Sequence, residues 1–434
     1  MKITSPHPSR SALCTAAFGT LMLVAGCNNL QKQTATPTPV AEPSPPAVTN
    51  PAAPPALTVQ SPPPPPPAQP YDMAVLSAAT ALFTNAKLPP AGTPALPKYP
   101  LVIDPLIDGM TGAQSVTTRS MGRRLAELMR ERYQQFDVQA FSAANVARSP
   151  LVLIGTFTGV NAERKTAGAR ETYRICFALA DLRSGKLVSK GLAFALPEGV
   201  DPTPLAFFRD APAWTEDPAT EGYIKTCQGT KAGDPINPLY LDRILAASVV
   251  AEGIEAYEAG RYREALELYT SALDMPAGDQ FRVHNGIYLA NWKLGRKQPA
   301  EAAFSKVVDY GLVHQRLAVK FLFRPGSMAF MANAPLSSNY SSWLNTIALR
   351  TRSSGKCLEV IGHTSPTGPE PLNERLSLIR AEYIKARLAQ ASPGLDKRMI
   401  ANGVGSKQSM VGNGRDDASD ALDRRVEFKV MTCG

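Results

Sequence analysis

The chain has 434 residues, a formal net charge of +9, 44% hydrophobic residues and 39 prolines. That length suits two or three domains rather than one. The positive charge forms no dense basic stripe with interleaved aromatics, so a nucleic-acid partner is not expected. Beyond residue 26 there is no CxxC spacing and there are only three histidines, which argues against a metal site. No nucleophile–base pair or phosphate loop is visible either, so the expectation is a non-catalytic protein without a cofactor.

Lys2 and Arg10 form a positive region ahead of an apolar run, Ala12 to Val24, that is too short to be a stable bilayer span. The run closes with Val24-Ala25-Gly26-Cys27. Small residues before a cysteine suit a lipoprotein signal peptidase, whose narrow site must admit the scissile bond next to an acylated thiol. The segment resembles the bacterial lipobox, which implies a signal peptide over 1–26 and acylation, palmitate included, on Cys27. An ordinary secretory signal with an incidental cysteine is the alternative. Several acyl chains anchor a protein firmly where a single one does not. Asn28, in place of the aspartate of an inner-membrane retention signal, favours the outer membrane, facing the periplasm. The signal carries two cations and no acid, so its removal leaves a charge of +7.

An exported chain meets an oxidising compartment. Cys176, Cys227, Cys357 and Cys433 remain after Cys14 and Cys27 are set aside, two in each of two predicted domains. They read as Cys176–Cys227 and Cys357–Cys433 disulfides, with buried free thiols as the alternative, because spacing does not dictate connectivity.

Residues 27–70 are rich in Pro, Ala, Thr and Ser and end in six consecutive prolines, Pro62 to Pro67. Such a stretch cannot bury a core and is expected to be an extended linker. Roughly forty residues at ~3.1 Å each would reach at most on the order of 130 Å.

Residues 71–235 have α/β character. Leu101-Val102-Ile103 reads as a short strand ending at Asp104. Thr117 to Tyr133 reads as a helix with apolar Met121, Leu125, Leu128 and Met129, capped by Thr117 or Thr118. Strands follow at Phe136 to Phe141 and Leu151 to Phe157, and a hairpin turns at Arg183-Ser184-Gly185. Asp104 and Asp108 read as turn and strand-end residues rather than a catalytic pair. The element order resembles the periplasmic domains of CsgG-like and penicillin-binding-protein-activator lipoproteins.

Between 239 and 312 the pattern becomes helical. Gly253, Gly260, Ala265, Tyr269 and Ala272 are followed, thirty-five residues after Gly260, by Gly295 with Ala300 and Phe304 at matching offsets. These small and aromatic positions resemble tetratricopeptide (TPR) repeats, which implies a concave face for a peptide or protein partner. A helical hairpin of another kind is the alternative. Two repeats rarely stand alone, so the unit is expected to pack on its neighbours.

Residues 317–434 read as strand (Ala318 to Phe323), helix (Ser338 to Arg352), strand (Cys357 to His363), helix (Asn373 to Ala391) and two further strands (Arg398 to Gly405, Arg424 to Val430). Here Gly362-His363-Thr364-Ser365-Pro366-Thr367-Gly368 is followed by Asn373-Glu374-Arg375-Leu376-Ser377-Leu378-Ile379-Arg380-Ala381, Gly403-Val404-Gly405 and Asp423-Arg424-Arg425-Val426-Glu427. In order and spacing these resemble the GHTDxxG, NxxLSxxRA, GxG and NRRVE motifs of the OmpA-like peptidoglycan-binding family. The resemblance implies a βαβαβ-type domain and, as ligand, the diaminopimelate of a peptidoglycan stem peptide, whose ammonium and carboxylate share one carbon. It assigns Arg380 to the carboxylate and Thr364, Asn373, Arg424 and the Thr367 amides to the pocket wall. A surface salt bridge of Arg380 with Glu374 or Asp423 is the competing reading, as is a cap role for Asn373. Ser365 stands where the family has aspartate, so the ammonium loses its counter-charge, and Glu370 or Asp423 are candidate substitutes. His363 reads as structural, and Gly362, Gly368, Gly403 and Gly405 as turn residues.

The expected whole is a multidomain α+β protein: an α/β domain, a TPR-like helical region and an OmpA-like domain. The function expected of it is that of an outer-membrane lipoprotein tethered to peptidoglycan. The alternative is a scaffold lipoprotein of an envelope secretion or assembly machine in which wall binding is weak or lost.

Overall fold

Leu151 to Val160 is the most continuous apolar run of the N-terminal half, and all ten residues are buried. A strand enclosed on both faces needs helices above and below it, and the fold supplies them. The structure is a computed structural model that describes residues 66–93, 97–168, 170–214, 217–332 and 336–433. The export signal, Cys27 and the linker as far as residue 65 lie outside the described residues.

The first sheet contains β1 (Ala68–Gln69), β2 (Tyr99–Ile103), β3 (Ile107–Asp108), β4 (Phe136–Gln139), β5 (Leu151–Val160), β6 (Thr172–Asp181) and β7 (Lys186–Ala195). Its order is β1-β7-β6-β5-β2-β4, with β3 also paired to β5. β5, β6 and β7 are antiparallel, and the remaining pairs are parallel. The expected linker therefore ends early, because Ala68 and Gln69 pair with Phe194 and Ala195. On one face lie α1 (Tyr71–Asn85) and α2 (Val116–Arg132), which bury Val75, Leu82, Met121 and Leu125 against Leu153 and Phe177. Gly191 permits the approach of α1: a Cβ there would lie 1.9 Å from the Ala78 carbonyl oxygen. The cap of α2 is Ser115, not Thr117 or Thr118. Its Oγ accepts from Thr118 N at 3.2 Å while Thr118 Oγ1 accepts from Ser115 N at 2.8 Å, a reciprocal capping box. Asp108 accepts from the Met110 and Thr111 amides and so closes a turn.

The short α3 (Ala143–Val146) and α4 (Ala206–Asp210) lead to α5 (Pro218–Cys227) and α6 (Pro238–Leu241). On the second face of the sheet, Tyr223 of α5 and Tyr240 of α6 join Ile154 and Ala178 in one core. Cys176 and Cys227 form a disulfide there, and Cys357 and Cys433 form another at the far end of the chain.

Two antiparallel hairpins follow, α7 (Ile244–Glu258) with α8 (Tyr262–Leu273), and α9 (Phe281–Lys293) with α10 (Lys297–Val313). Tyr269 is wedged between Gly253 and Gly286, where added Cβ atoms would lie 2.7 and 2.5 Å from its ring. The small residues thus admit an aromatic between successive hairpins.

The C-terminal sheet has the order β10-β9-β11-β8, formed by β8 (Phe321–Leu322), β9 (Cys357–Gly362), β10 (Met399–Gly403) and β11 (Arg425–Met431). Its helices are α11 (Tyr340–Ser354), α12 (Glu370–Ala391) and the short α13 (Ala418–Asp423), the last absent from the sequence expectation. This sheet has no core of its own. One cluster runs from Phe207 through Tyr269, Phe304 and Trp343 to Val360 and Phe428. Trp343 stacks on Phe304 at 5.0 Å and donates Nε1–H to Tyr288 Oη at 3.1 Å. No described helix is long and apolar enough to cross a membrane.

Candidate functional site

The motif residues between Gly362 and Glu427 come together at one end of the C-terminal sheet, and two glycines make this possible. An added Cβ on Gly362 would lie 1.9 Å from Ser377 O, and one on Gly403 would lie 2.4 Å from Leu378 N. α12 therefore lies directly on the ends of β9 and β10. Close approach, not turn geometry, explains these two glycines. Gly368 and Gly405 do take positive φ, at +89° and +58°.

The loop after β9 is held at several points. His363 N donates to Arg425 O at 2.8 Å, and Thr364 N to Gly405 O at 2.9 Å. Asn373 Nδ2 lies 3.3 Å from Thr367 O and 3.4 Å from Gly368 O. Asn373 is therefore not the cap of α12, which begins at Glu370 one turn earlier. It clamps the loop instead. Ser365 Oγ and Thr367 Oγ1 share a hydrogen bond of 2.8 Å. Ser377 Oγ accepts from Gly405 N at 3.0 Å and ties the second loop to the same helix.

Arg380 lies under this loop, fully buried. Its Nε donates to Ser327 O at 2.9 Å, one terminal nitrogen to Arg324 O at 2.8 Å, and the other to His363 O at 3.3 Å. The guanidinium also lies over the Phe323 ring, 5.2 Å from its centroid. Neither Glu374 nor Asp423 pairs with it, so the salt-bridge reading is incorrect. Burial, helped by the nearby Arg424 cation, lowers its pKa to about 10. Arg380 is thus a buried cation without a carboxylate partner among the described residues.

Glu370 and Asp423, the two candidate counter-charges for an ammonium beside Ser365, are both engaged elsewhere. Asp423 is fully buried and accepts from the amides of Met410, Val411 and Gly412 at 2.7, 3.3 and 2.7 Å. Glu370 accepts from Ser406 N at 3.1 Å and from the Ser406 hydroxyl. An acid that does face outward beside this loop is Asp416, which the sequence reading missed. It is 60% exposed, and its Oδ1 lies 3.0 Å from a terminal nitrogen of Arg424. Asp420 accepts from Gly414 N and Asp416 N at 3.0 and 2.6 Å and thereby holds Asp416 at φ +56°. An added Cβ on Gly414 would sit 3.6 Å from Pro366 Cγ, so the Asp416 loop borders the Ser365 loop. The run Asn413-Gly414-Arg415-Asp416-Asp417 lies between the Gly403-Val404-Gly405 and Asp423-Arg424-Arg425-Val426-Glu427 motifs and belongs to neither.

Several polar atoms of this cluster are buried with no hydrogen-bond partner, among them Thr364 Oγ1, Arg424 Nε, His363 Nδ1 and Arg425 Nε. His363 is buried with Nε2 3.1 Å from Glu427 Oε1, and burial lowers its pKa, as suits a structural imidazole. Arg425 bridges Asp423 and Glu427 behind it. The N-terminal half also reaches this end: Arg170 donates to Val411 O and Ser409 O at 2.8 and 3.1 Å.

Several solved structures are similar to part of this chain. The peptidoglycan-associated lipoprotein from Burkholderia pseudomallei is 25% identical over 26% of this chain and 89% of its own, with a TM-score of 0.23. The cell wall anchor of the T6SS from Pseudomonas aeruginosa is 21% identical over 30% of this chain and 97% of its own, with a TM-score of 0.22. The C-terminal domain of Helicobacter pylori MotB is 19% identical over 26% and 85%, with a TM-score of 0.22. No family profile and no curated protein matches the chain.

Proposed function

We propose that this chain is a non-catalytic envelope tether, with acyl chains on Cys27 in the outer membrane and a C-terminal domain that grips peptidoglycan through diaminopimelate. The observation that carries the reading is Arg380: a buried guanidinium with no acid beside it, under a loop with unpaired polar atoms. Arginine meets a carboxylate with a planar fork of donors, and a buried cation without a counter-ion is costly. The stem-peptide carboxylate would replace the carbonyls of Arg324 and Ser327 on Arg380. Asp416, beside the Ser365 loop, would face the ammonium.

Co-sedimentation with purified sacculi tests this. The wild-type chain should sediment with sacculi, and Ser365→Asp should bind roughly one to two orders of magnitude more tightly, because a charge-assisted bond contributes about 1.5–3 kcal/mol. Asp416→Asn should bind more weakly than wild type. Failure of both wild type and Ser365→Asp to sediment would exclude the tether, and release of muropeptides on incubation would exclude a non-catalytic role. A second reading, a scaffold lipoprotein of a secretion or assembly machine, is favoured by the Arg324–Ser327 turn, whose carbonyls already occupy Arg380. It predicts sedimentation only for Ser365→Asp.

A further inference from the structure

A second group of cations without salt-bridge partners lies on the first sheet, on β6 and β7. Cys176 of β6 pairs with Leu192 of β7. The two-residue period of a strand puts Arg174 and Lys190 on the same face as that pair, one on either side of it. α1 covers the opposite face. On this face the Cys176–Cys227 disulfide brings in the end of α5, and the segment after it forms a wall. The result is a cavity of about 540 Å³ bounded by Arg174, Cys176, Lys190, Leu192, Cys227 and Gln228, among others. That volume is in the range of small-molecule sites.

The polar atoms in it are only partly satisfied. One terminal nitrogen of Arg174 donates to Gln228 Oε1 at 2.6 Å, while its Nε is buried with no partner. Lys190 Nζ donates to Thr230 O at 2.7 Å and lies 3.2 Å from Thr230 Oγ1. Neither cation forms a salt bridge among the described residues. The acid acting on Lys190 from nearby is Asp234, whose carboxylate accepts from Lys231 N at 2.9 Å. Burial depresses the pKa of Arg174, and that of Lys190 falls through burial and the proximity of Arg174. Two cations converging on a partly apolar cavity repel one another unless an anion joins them. Leu192, 49% exposed, adds an apolar surface beside them.

We propose that this cavity binds a small amphiphilic anion, its phosphate or carboxylate head between Arg174 and Lys190 and its apolar part against Leu192. The charge pattern excludes a cationic ligand, and the exposed leucine distinguishes the site from one for a bare inorganic ion. This site is independent of the peptidoglycan reading and does not involve Arg380.

Calorimetric titration of the full mature chain with octyl phosphate, below its micellar concentration, tests the proposal. Saturable binding is expected, with inorganic phosphate competing at higher concentration and 1-octanol binding at least tenfold more weakly. Arg174→Gln and Lys190→Met should each lower affinity for octyl phosphate by about tenfold or more, with thermal melts showing that each variant is folded. If one variant fails to fold, the other decides. Absence of saturable binding, equal affinity for octanol, or unchanged affinity in a folded variant would overturn it.

Discussion

Asp104→Asn is expected to make the protein more stable at pH 8, by about 2–4 kcal/mol, and to change little at pH 4. Asp104 directly follows β2 and is buried. Burial raises its pKa from the ordinary 3.8 to about 7, against the opposing effects of a hydrogen bond from Tyr240 Oη, at 2.7 Å, and the Arg282 cation. A raised carboxyl pKa means that the fold favours the protonated form. The stability that Asp104 contributes is therefore complete below about pH 4, falls as pH rises, and is lost once pH passes 7. Asparagine keeps an acceptor for Tyr240 and has no charge to bury. Urea melts at pH 4, 6 and 8 should show the variant's advantage growing with pH at no more than about 1.4 kcal/mol per pH unit. A difference independent of pH would mean that Asp104 is ionised in the fold and compensated by Arg282.

Lys320→Met should show the opposite dependence. Lys320 precedes β8, is enclosed, donates to Phe208 O at 2.8 Å and lies 4.3 Å from the Trp214 ring centroid. Burial, against the attraction of Asp210, lowers its pKa from 10.5 to about 7. A depressed lysine pKa means that the fold favours the neutral amine. Its stabilising contribution is present above about pH 10.5 and is lost as pH falls through 7. Methionine removes that penalty but leaves the Phe208 carbonyl without its donor, at a cost of about 1–3 kcal/mol. The variant should thus be less stable than wild type at pH 10, and its relative stability should rise by about 3–4 kcal/mol between pH 10 and pH 6. Chemical melts at the two pH values measure this, and parallel shifts at both would show that the amine stays charged. Near neutrality both groups are partly ionised in the fold, so each replacement should help there.

These two side chains occupy junctions that the sequence placed between domains. Asp104 of the first sheet meets Tyr240 of α6 and Arg282 of α9, and Lys320 joins β8 to α4 and Trp214. Asp217 does the same, accepting from Thr220 N in α5 and Phe281 N in α9. A buried polar group needs a partner from somewhere, and here the partner lies tens of residues away. Nothing in the local pattern could indicate that.

The C-terminal cluster was legible to the extent that it is local. Gly362 to Gly368 form one loop, α12 follows within two residues, and Arg380 points back under the loop as the helical spacing from Asn373 implies. What occupies Arg380 was not legible, because Arg324 and Ser327 lie more than fifty residues upstream. Nor was the role of Asp423, since its partners are backbone amides at 410–412 and amides carry no sequence signal. Asp416 emerged only when Asp420 and Asp423 had set the path of the loop around them.

The sequence by itself carried no sign of α1, α5 or α13, but it determined α2, the strands β2, β4 and β5, where the β6–β7 hairpin turns, and which motif residues gather at the end of β9. Those are consequences of side-chain period, turn chemistry and short-range spacing. Tertiary structure alone decided that the helical hairpins and the C-terminal sheet share one core. It also decided that the loop carrying the exposed Asp416 borders the Ser365 loop, and that Arg174 and Lys190 converge on a cavity. Each of these depends on surfaces brought together across long stretches of chain, where burial and charge, not local propensity, set the energy.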